Sequence, residues 1–336
     1  MKKAVYIFSS GTLKRKDNNI VFEPLQETQS SSKKKYLTVE ILDAIYIFGE
    51  IKLNTRLLSF LSQKKIPLHV FNRYGFYTGS YMPRNAQNSG YITLKQAEHY
   101  LDRAKRVELA QAFVLGALTN EKTNLLYYAR RFNLPKVKEA AETIKEIAAS
   151  VRETYDINNL LQKEGLAKEF YYRSWDYFLK EDFPFESRSR KPPLNPLNAL
   201  ISFGNSLLYT TVLSEIYRTY LDPRIGYLHF TNQRSYTLNL DIADIFKPVI
   251  VDRVIFTLIN KNELSLSDFE PLGEGVILSQ KGRKKFIQAY EEKLKTTVVR
   301  GKGKKYSYRR LIRLECYKLY RHLFGEKKYR PFLSWW

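Results

Sequence analysis

The stretch LHVFNRYGFYTGSYM (residues 68–82), running on into PRNAQNSGYITLKQAEHYLDRAKRVELAQAFVLGAL (residues 83–118), decides the fold, because the spacing of its apolar residues changes midway. The first part reads as a β-hairpin with Arg73-Tyr74-Gly75 near its tip. From about Thr93 onward apolar residues recur every three or four positions, the period of an amphipathic helix. The expected fold is therefore α+β. A small N-terminal β domain (1–82) leads through a linker (83–92) into a large all-helical domain (93–336).

Reading outward supports that division. KAVYIFSS (3–10) and NNIVFEP (18–24) are strand-like, with a turn at Asp17-Asn18-Asn19. LQETQSSSKKK (25–35) is a polar loop, and YLTVEILDAIYIFGEIKLN (36–54) supplies one or two more strands. Asn54 is placed to cap a short helix, TRLLSFLSQKK, that ends before Pro67. Downstream, VKEAAETIKEIAASVRETYD (137–156) continues the helical period.

Composition bounds the function. With 336 residues and 44% hydrophobic content the chain can bury a substantial core, and 25 Tyr and 20 Phe argue against disorder. The net charge of +22 implies a polyanionic partner, nucleic acid before an anionic membrane surface. It is concentrated: Lys281–Trp336 carries 18 Lys and Arg against 4 Asp and Glu, a net +14. Within that tail KKYSYRRLIRLECYKLYRHL (304–323) interleaves cations with Leu, Ile and Tyr at helical spacing, either a solvated face over a core stripe or a phosphate-binding surface. No apolar run is long enough to span a bilayer, and the Ala4–Phe8 run is too short for a signal-peptide core. Cys316 stands alone, so neither a disulfide framework nor a cysteine zinc site forms within one chain, and a cytoplasmic location is expected.

Three stretches of the helical half carry candidate chemistry. In LLQKEGLAKEFYYRSWDYFL (160–179) a helical stripe of Leu160, Ala167, Tyr171 and Phe178 includes Glu164. Gly165 beside it would let another backbone approach, while the plainer reading pairs Glu164 with Lys168 one turn on. In SRSRKPPLNPLNALISFGNSLLY (187–209) Arg188, Arg190 and Lys191 precede a helix starting near Pro196, either as phosphate contacts or as an ordinary exposed linker.

The third stretch, YLHFTNQRSYTLNLDIADIFKPVIVDRV (227–254), sets Asp241, Asp244 and Asp252 on one side of a helical wheel among Ile and Val, with His229 twelve residues before Asp241. Pro248 kinks or restarts that helix. A carboxylate among apolar neighbours needs a metal ion, a basic side chain or water. One divalent ion would relieve Glu164, His229 and the aspartate pair together. Two or three carboxylates with one imidazole suit Mg²⁺ or Mn²⁺, and beside a strongly basic surface that shell points to phosphodiester chemistry.

EGLAKEFYY (164–172), RKPPLNPLNALISFGNSLLY (190–209), GYLH (226–229) with SYTLNLDIADIFKPVIVDRV (235–254), KGRKKFIQAYEEKL (281–294) and SYRRLIRLECYKL (307–319) together resemble the CRISPR-associated protein one (Cas-one) family. The resemblance covers nearly the whole chain. It implies an N-terminal β domain that forms a homodimer, a C-terminal helical catalytic domain, and a metal-dependent endonuclease and integrase of spacer acquisition. Glu164, His229 and Asp244 match the family's metal-binding, catalytic trio, and Asp241 matches a supporting acid one turn earlier. The implied partners are DNA (a spacer duplex and the CRISPR repeat) and a small second CRISPR-associated protein (Cas-two), four copies of this chain to two of the partner. The 3′-hydroxyl ends of the short duplex would be joined to the repeat by transesterification. The sequence departs from the family at Asn195 (often Asp), Asn205 (often aromatic), Lys247 (usually Arg) and Asp244 (often Glu). Arg188, Arg190, Arg309, Arg310 and Arg313 are the expected DNA-backbone contacts, on charge alone.

Two other classes fit the residues. A non-catalytic basic nucleic-acid-binding protein would pair each acid with its own cation. A metal-dependent RNA-processing nuclease would share the same surface, since recognition of a 2′-hydroxyl leaves no mark in these patterns.

Overall fold

The computed structural model describes residues 2–25, 34–84, 89–231, 236–300 and 303–334. Most of the expected polar loop, 26–33, and part of the expected linker, 85–88, lie outside the described residues. The chain divides into two compact units, Met1–Asn88 and Ser89–Trp336.

The first unit holds strands β1 (Lys3–Ile7), β2 (Gly11–Lys16), β3 (Asn19–Pro24), β4 (Lys35–Thr38), β5 (Leu42–Ile47) and β6 (Ile51–Lys52), helix α1 (Thr55–Lys64), then β7 (Leu68–Phe71) and β8 (Tyr77–Tyr81). They form two four-stranded sheets, ordered β1-β5-β7-β8 and β4-β3-β2-β6. β5 lies between parallel neighbours and is buried along its whole length, which is why it reads as a nearly continuous apolar run. The β7–β8 hairpin turns through Gly75 at φ 87°, a conformation that favours glycine. Asn54 caps α1 as its position suggests, accepting from the Leu57 N–H at 2.9 Å. β2 was not anticipated: of GTLKRK only Leu13 puts an apolar side chain into the core, and the strand is fixed by pairing with β3.

The second unit is mostly helical: α2 (Gly90–Leu101), α3 (Arg103–Phe132), α4 (Pro135–Val151), α5 (Ile157–Arg173), α6 (Pro196–Tyr217), α7 (Leu238–Phe246), α8 (Val251–Asn260), α9 (Gln280–Lys295) and α10 (Tyr308–Leu323). Two short antiparallel hairpins interrupt the helices, β9 (Phe269–Leu272) with β10 (Gly275–Leu278) and β11 (Thr297–Arg300) with β12 (Lys304–Ser307). The expected all-helical domain thus carries a small β component. Its four-residue strands are too short for an alternating pattern to stand out.

α2 begins inside the segment 83–92 with Ser89 as its cap, and the long periodic run is cut at Asp102, whose side chain accepts from Lys105 N–H at 3.0 Å. α3, 30 residues and about 45 Å long, packs against α4, α5 and α7. α6 is buried on nearly all sides. At Gly204 a Cβ would meet Val251 Cγ1 at 2.5 Å, so the glycine lets α6 pack tightly on α8. Asn195, one of the departures noted above, still caps α6 by accepting from Asn198 N–H at 2.8 Å.

Pro248 marks the break between α7 and α8, as anticipated, and its carbonyl accepts from the Asn124 side chain on α3 at 3.1 Å. One turn earlier on α3, buried Asn120 donates to the carbonyls of Ile245 and Phe332, while its oxygen accepts from the N–H and hydroxyl of Ser334. Residues 332–334 are thereby tied to α3 and α7. Among the described residues no helix is long and apolar enough to cross a membrane.

Candidate metal centre

Glu164, His229, Asp241 and Asp244 come from α5, from the loop before α7 and from α7 itself. α5 is capped by Asp156, whose carboxylate accepts from Asn159 N–H at 3.0 Å, and its inward stripe puts Glu164 with Leu160, Ala167 and Tyr171 in the interior. Glu164 is 7% exposed. Gly165 does not admit a neighbouring backbone, contrary to expectation: a Cβ there would meet nothing within 4 Å. A glycine permits close approach without requiring it, and here Glu164 turns inward while Gly165 faces open space.

The loop carrying His229 is shaped by Asp241. The Asp241 carboxylate accepts three consecutive backbone N–H groups, from Tyr227 (2.6 Å), Leu228 (3.1 Å) and His229 (3.0 Å). It also accepts the His229 ring at Nδ1, 2.7 Å away. An ionised carboxylate can only accept, so Nδ1 is the donor of this pair, and in the neutral ring Nε2 is the nitrogen that presents a lone pair. Gly226 opens this loop because any Cβ would lie 2.8 Å from the Thr237 backbone. Asp241, fully buried, is thus an organising acid.

Asp244, one turn further along α7, is 2% exposed. Its Oδ1 accepts from Lys247 and lies 3.6 Å from Lys168 Nζ. Its Oδ2 is buried with no hydrogen-bond partner and sits 4.0 Å from His229 Nε2. Lys168 also donates to Glu164. Burial would raise the Asp244 carboxyl, but the Lys168 and Lys247 ammoniums and the His229 ring overcome it and hold the group well below the usual range. Burial would likewise lower His229, and the Asp241 hydrogen bond with the charges of Asp241, Asp244 and Glu164 brings it above its ordinary value.

Each of the three aspartates thus has a different partner: Asp241 backbone amides and an imidazole, Asp244 two lysines, and Asp252 the Tyr171 hydroxyl at 3.0 Å. Asp252 and Glu121 are both buried, and the charge of each of Asp252, Glu164 and Asp244 acts on Glu121. Burial raises Glu121 to about 8 and Asp252 to about 7. Sequence reasoning missed Glu121, which lies mid-helix in α3 with no local motif to mark it.

The donor chemistry suits a hard divalent cation. Glu164 and Asp244 offer oxygens, Asp244 Oδ2 has no hydrogen-bond partner, and His229 Nε2 is the second nitrogen of a ring already oriented at Nδ1 by a carboxylate. Among the described residues no three His, Cys, Asp or Glu side chains are drawn into a ready-made ligand cage. Lys168 and Lys247 provide the positive charge instead.

Of the arginines expected to meet DNA, Arg190 and Arg310 are exposed. Arg188 is half-buried and donates to Asn198 Oδ1 at 2.9 Å and Ser202 Oγ at 3.0 Å. Arg309 pairs with Glu291 at 2.9 Å, and Arg313 with buried Glu215 at 2.5 Å.

A two-sheet N-terminal unit, a helical unit and an acid–imidazole centre flanked by lysines together define the class. The family model for the CRISPR associated protein Cas1 matches residues 5–292, and the chain belongs to that family. It is 49% identical to the CRISPR-associated endonuclease Cas1 2 of Thermodesulfovibrio yellowstonii, over all of both chains. Its structure is similar to that of a CAS1 protein from Thermotoga maritima (TM-score 0.86, 44% identity, 98% of this chain and 99% of that one). The fold is shared with a casposase bound to integration product (TM-score 0.87, 19% identity, 99% and 94% covered) and with a chain of a Cas6-RT-Cas1–Cas2 complex (TM-score 0.82, 18% identity, 100% and 36% covered).

Proposed function

We propose that this chain is a divalent-metal-dependent DNA endonuclease and integrase of CRISPR spacer acquisition, joining the 3′-hydroxyl ends of a short duplex to the CRISPR repeat by transesterification. The observation carrying this reading is the approach of His229 Nε2 to Asp244 Oδ2, 4.0 Å apart with no hydrogen bond to that oxygen, while Glu164 from a separate helix is linked to Asp244 through Lys168. Family membership and the endonuclease name of a full-length relative agree with it.

Glu164, His229 and Asp244 would hold one Mg²⁺ or Mn²⁺. When bound, that ion supplies Lewis acidity at the scissile phosphate and lowers the pKa of an attacking hydroxyl. Asp241 keeps the proton of His229 on Nδ1, so the donor nitrogen stays available. Lys247 neutralises Asp244 on the side away from the imidazole, and its ammonium can meet phosphate oxygens. Arg190 and Arg310, being exposed, are the members of the arginine set best placed for the DNA backbone, and Arg188, Arg309 and Arg313 could join them by leaving their present partners. Homodimerisation through the β unit and assembly with Cas-two, four copies to two, follow from the family resemblance.

The test is strand joining in Mn²⁺ by His229→Ala and Asp244→Asn. Loss of joining with an unchanged circular dichroism spectrum supports the site, and joining at the wild-type rate rejects it. One observation favours a second reading. Lys168 and Lys247 already pair Glu164 and Asp244, as a non-catalytic DNA-binding protein would require. That reading predicts DNA binding indifferent to EDTA and no joining or cleavage with any divalent ion.

A further inference from the structure

Glu164 and Asp244 share one ammonium. Lys168 follows Glu164 by one turn of α5, so local helix geometry alone accounts for its hydrogen bond to Glu164. Its 3.6 Å approach to Asp244 does not follow from local geometry, because Asp244 sits on α7. Lys247 by contrast meets the Asp244 carboxylate and not Glu164, from the position that caps the C-terminal end of α7. Both lysine side chains are largely buried, 19% and 11% exposed, so their charges are weakly screened.

The carboxylates of Glu164 and Asp244 are matched by the ammoniums of Lys168 and Lys247, while the Asp241 carboxylate is held by amides and the imidazole. A divalent ion added with both lysines in place would set four positive charges against the three carboxylates of Glu164, Asp241 and Asp244 and crowd the cations within a few ångströms of one another, an arrangement that Coulomb repulsion disfavours. One ammonium has to move, and Lys168 is the one in contact with both carboxylates. Its four-carbon stem can carry the charge outward, where a DNA phosphate offers a replacement anion.

We propose that Lys168 is a displaceable internal cation. It occupies Glu164 and Asp244 in the free protein and yields them to the divalent ion when DNA phosphate receives its ammonium. Metal and DNA then bind cooperatively, each raising the affinity for the other by the same factor. The inference rests on the metal site proposed above.

The experiment titrates Mn²⁺ into the full-length protein and follows free Mn²⁺ by electron paramagnetic resonance. Titrations are run with and without a short DNA duplex bearing 3′-dideoxy ends, which cannot be joined. For the wild type, DNA should tighten Mn²⁺ binding at least tenfold. Lys168→Met should bind Mn²⁺ at least tenfold more tightly than wild type without DNA, and should gain little from DNA. Lys168→Arg, which retains the charge, should stay at or below wild-type affinity and serves as a second variant should Lys168→Met melt early in EDTA. Equal Mn²⁺ affinity in wild type and Lys168→Met overturns the proposal while leaving the metal site standing, provided His229→Ala abolishes binding in both. Mn²⁺ binding indifferent to His229→Ala instead removes the metal site, and this inference with it.

Discussion

Asp241 and His229 are joined twice: the carboxylate accepts the His229 backbone N–H at 3.0 Å and its ring at Nδ1 at 2.7 Å. One buried acid therefore folds the loop and fixes the tautomer of the imidazole it presents. Replacing Asp241 by Asn keeps an acceptor for the amides but sets an NH₂ group or a neutral oxygen against Nδ1. Joining activity should fall roughly 10–100-fold, as for other residues that orient a metal-binding histidine. The rate of strand joining at saturating Mn²⁺ checks this, and an unchanged rate would show that the pairing does not position the ring.

Glu121, buried on α3, carries a testable pH signature. In the unfolded chain it ionises near 4.5, and in the folded protein burial moves this to about 8. The folded state therefore holds an extra proton between those values, and stability from this group falls as pH rises through that window. Glu121→Gln should melt higher than wild type at pH 8.5, by about 2–4 °C for each kcal/mol of penalty relieved. The difference should vanish near pH 4.5. Melting curves at several pH values give the answer, and a difference independent of pH contradicts it.

The segment 329–334 should depend on Asn120, whose side chain binds Ile245, Phe332 and Ser334. Asn120→Ala leaves buried backbone groups without partners and should cost about 2 kcal/mol or more. Limited proteolysis should then cut near residues 329–334 under conditions in which the wild type resists. Equal resistance would show that other contacts hold this segment.

For DNA binding the arginines separate into two kinds. Arg190→Ala and Arg310→Ala should each lower the slope of log affinity against log salt by about one, with no change in melting temperature. Arg313→Ala should destabilise the fold by about 1–3 kcal/mol, because Glu215 is fully buried and keeps Arg218 as its remaining cation. Fluorescence anisotropy over a salt series, alongside melting curves, distinguishes the two effects.

Local signals were legible in the sequence. The Asn54 cap, the hairpin around Gly75, the break at Pro248 and the inward face of Glu164 each follow from a few neighbouring residues. So did the division into a β part and a mainly helical part, which the change of period records. What stayed hidden depends on distant partners. β2 is a strand because β3 pairs with it, whereas KRK alone reads as solvent-exposed. The hydrogen bonds of Arg188 to Asn198 and Ser202 could not be read from the charge pattern that marked it as an expected DNA contact. Lys168 was visible as the helical neighbour of Glu164, but its approach to Asp244 exists only once α5 and α7 are packed.

The most direct test of the account is diffraction from crystals soaked in Mn²⁺, with data collected at the manganese edge. The account predicts one anomalous peak within bonding distance of Glu164, His229 Nε2 and Asp244, with the Lys168 ammonium withdrawn from both carboxylates. The contradicting result is an absence of manganese there, with Lys168 and Lys247 still paired to the acids at a Mn²⁺ concentration that supports strand joining.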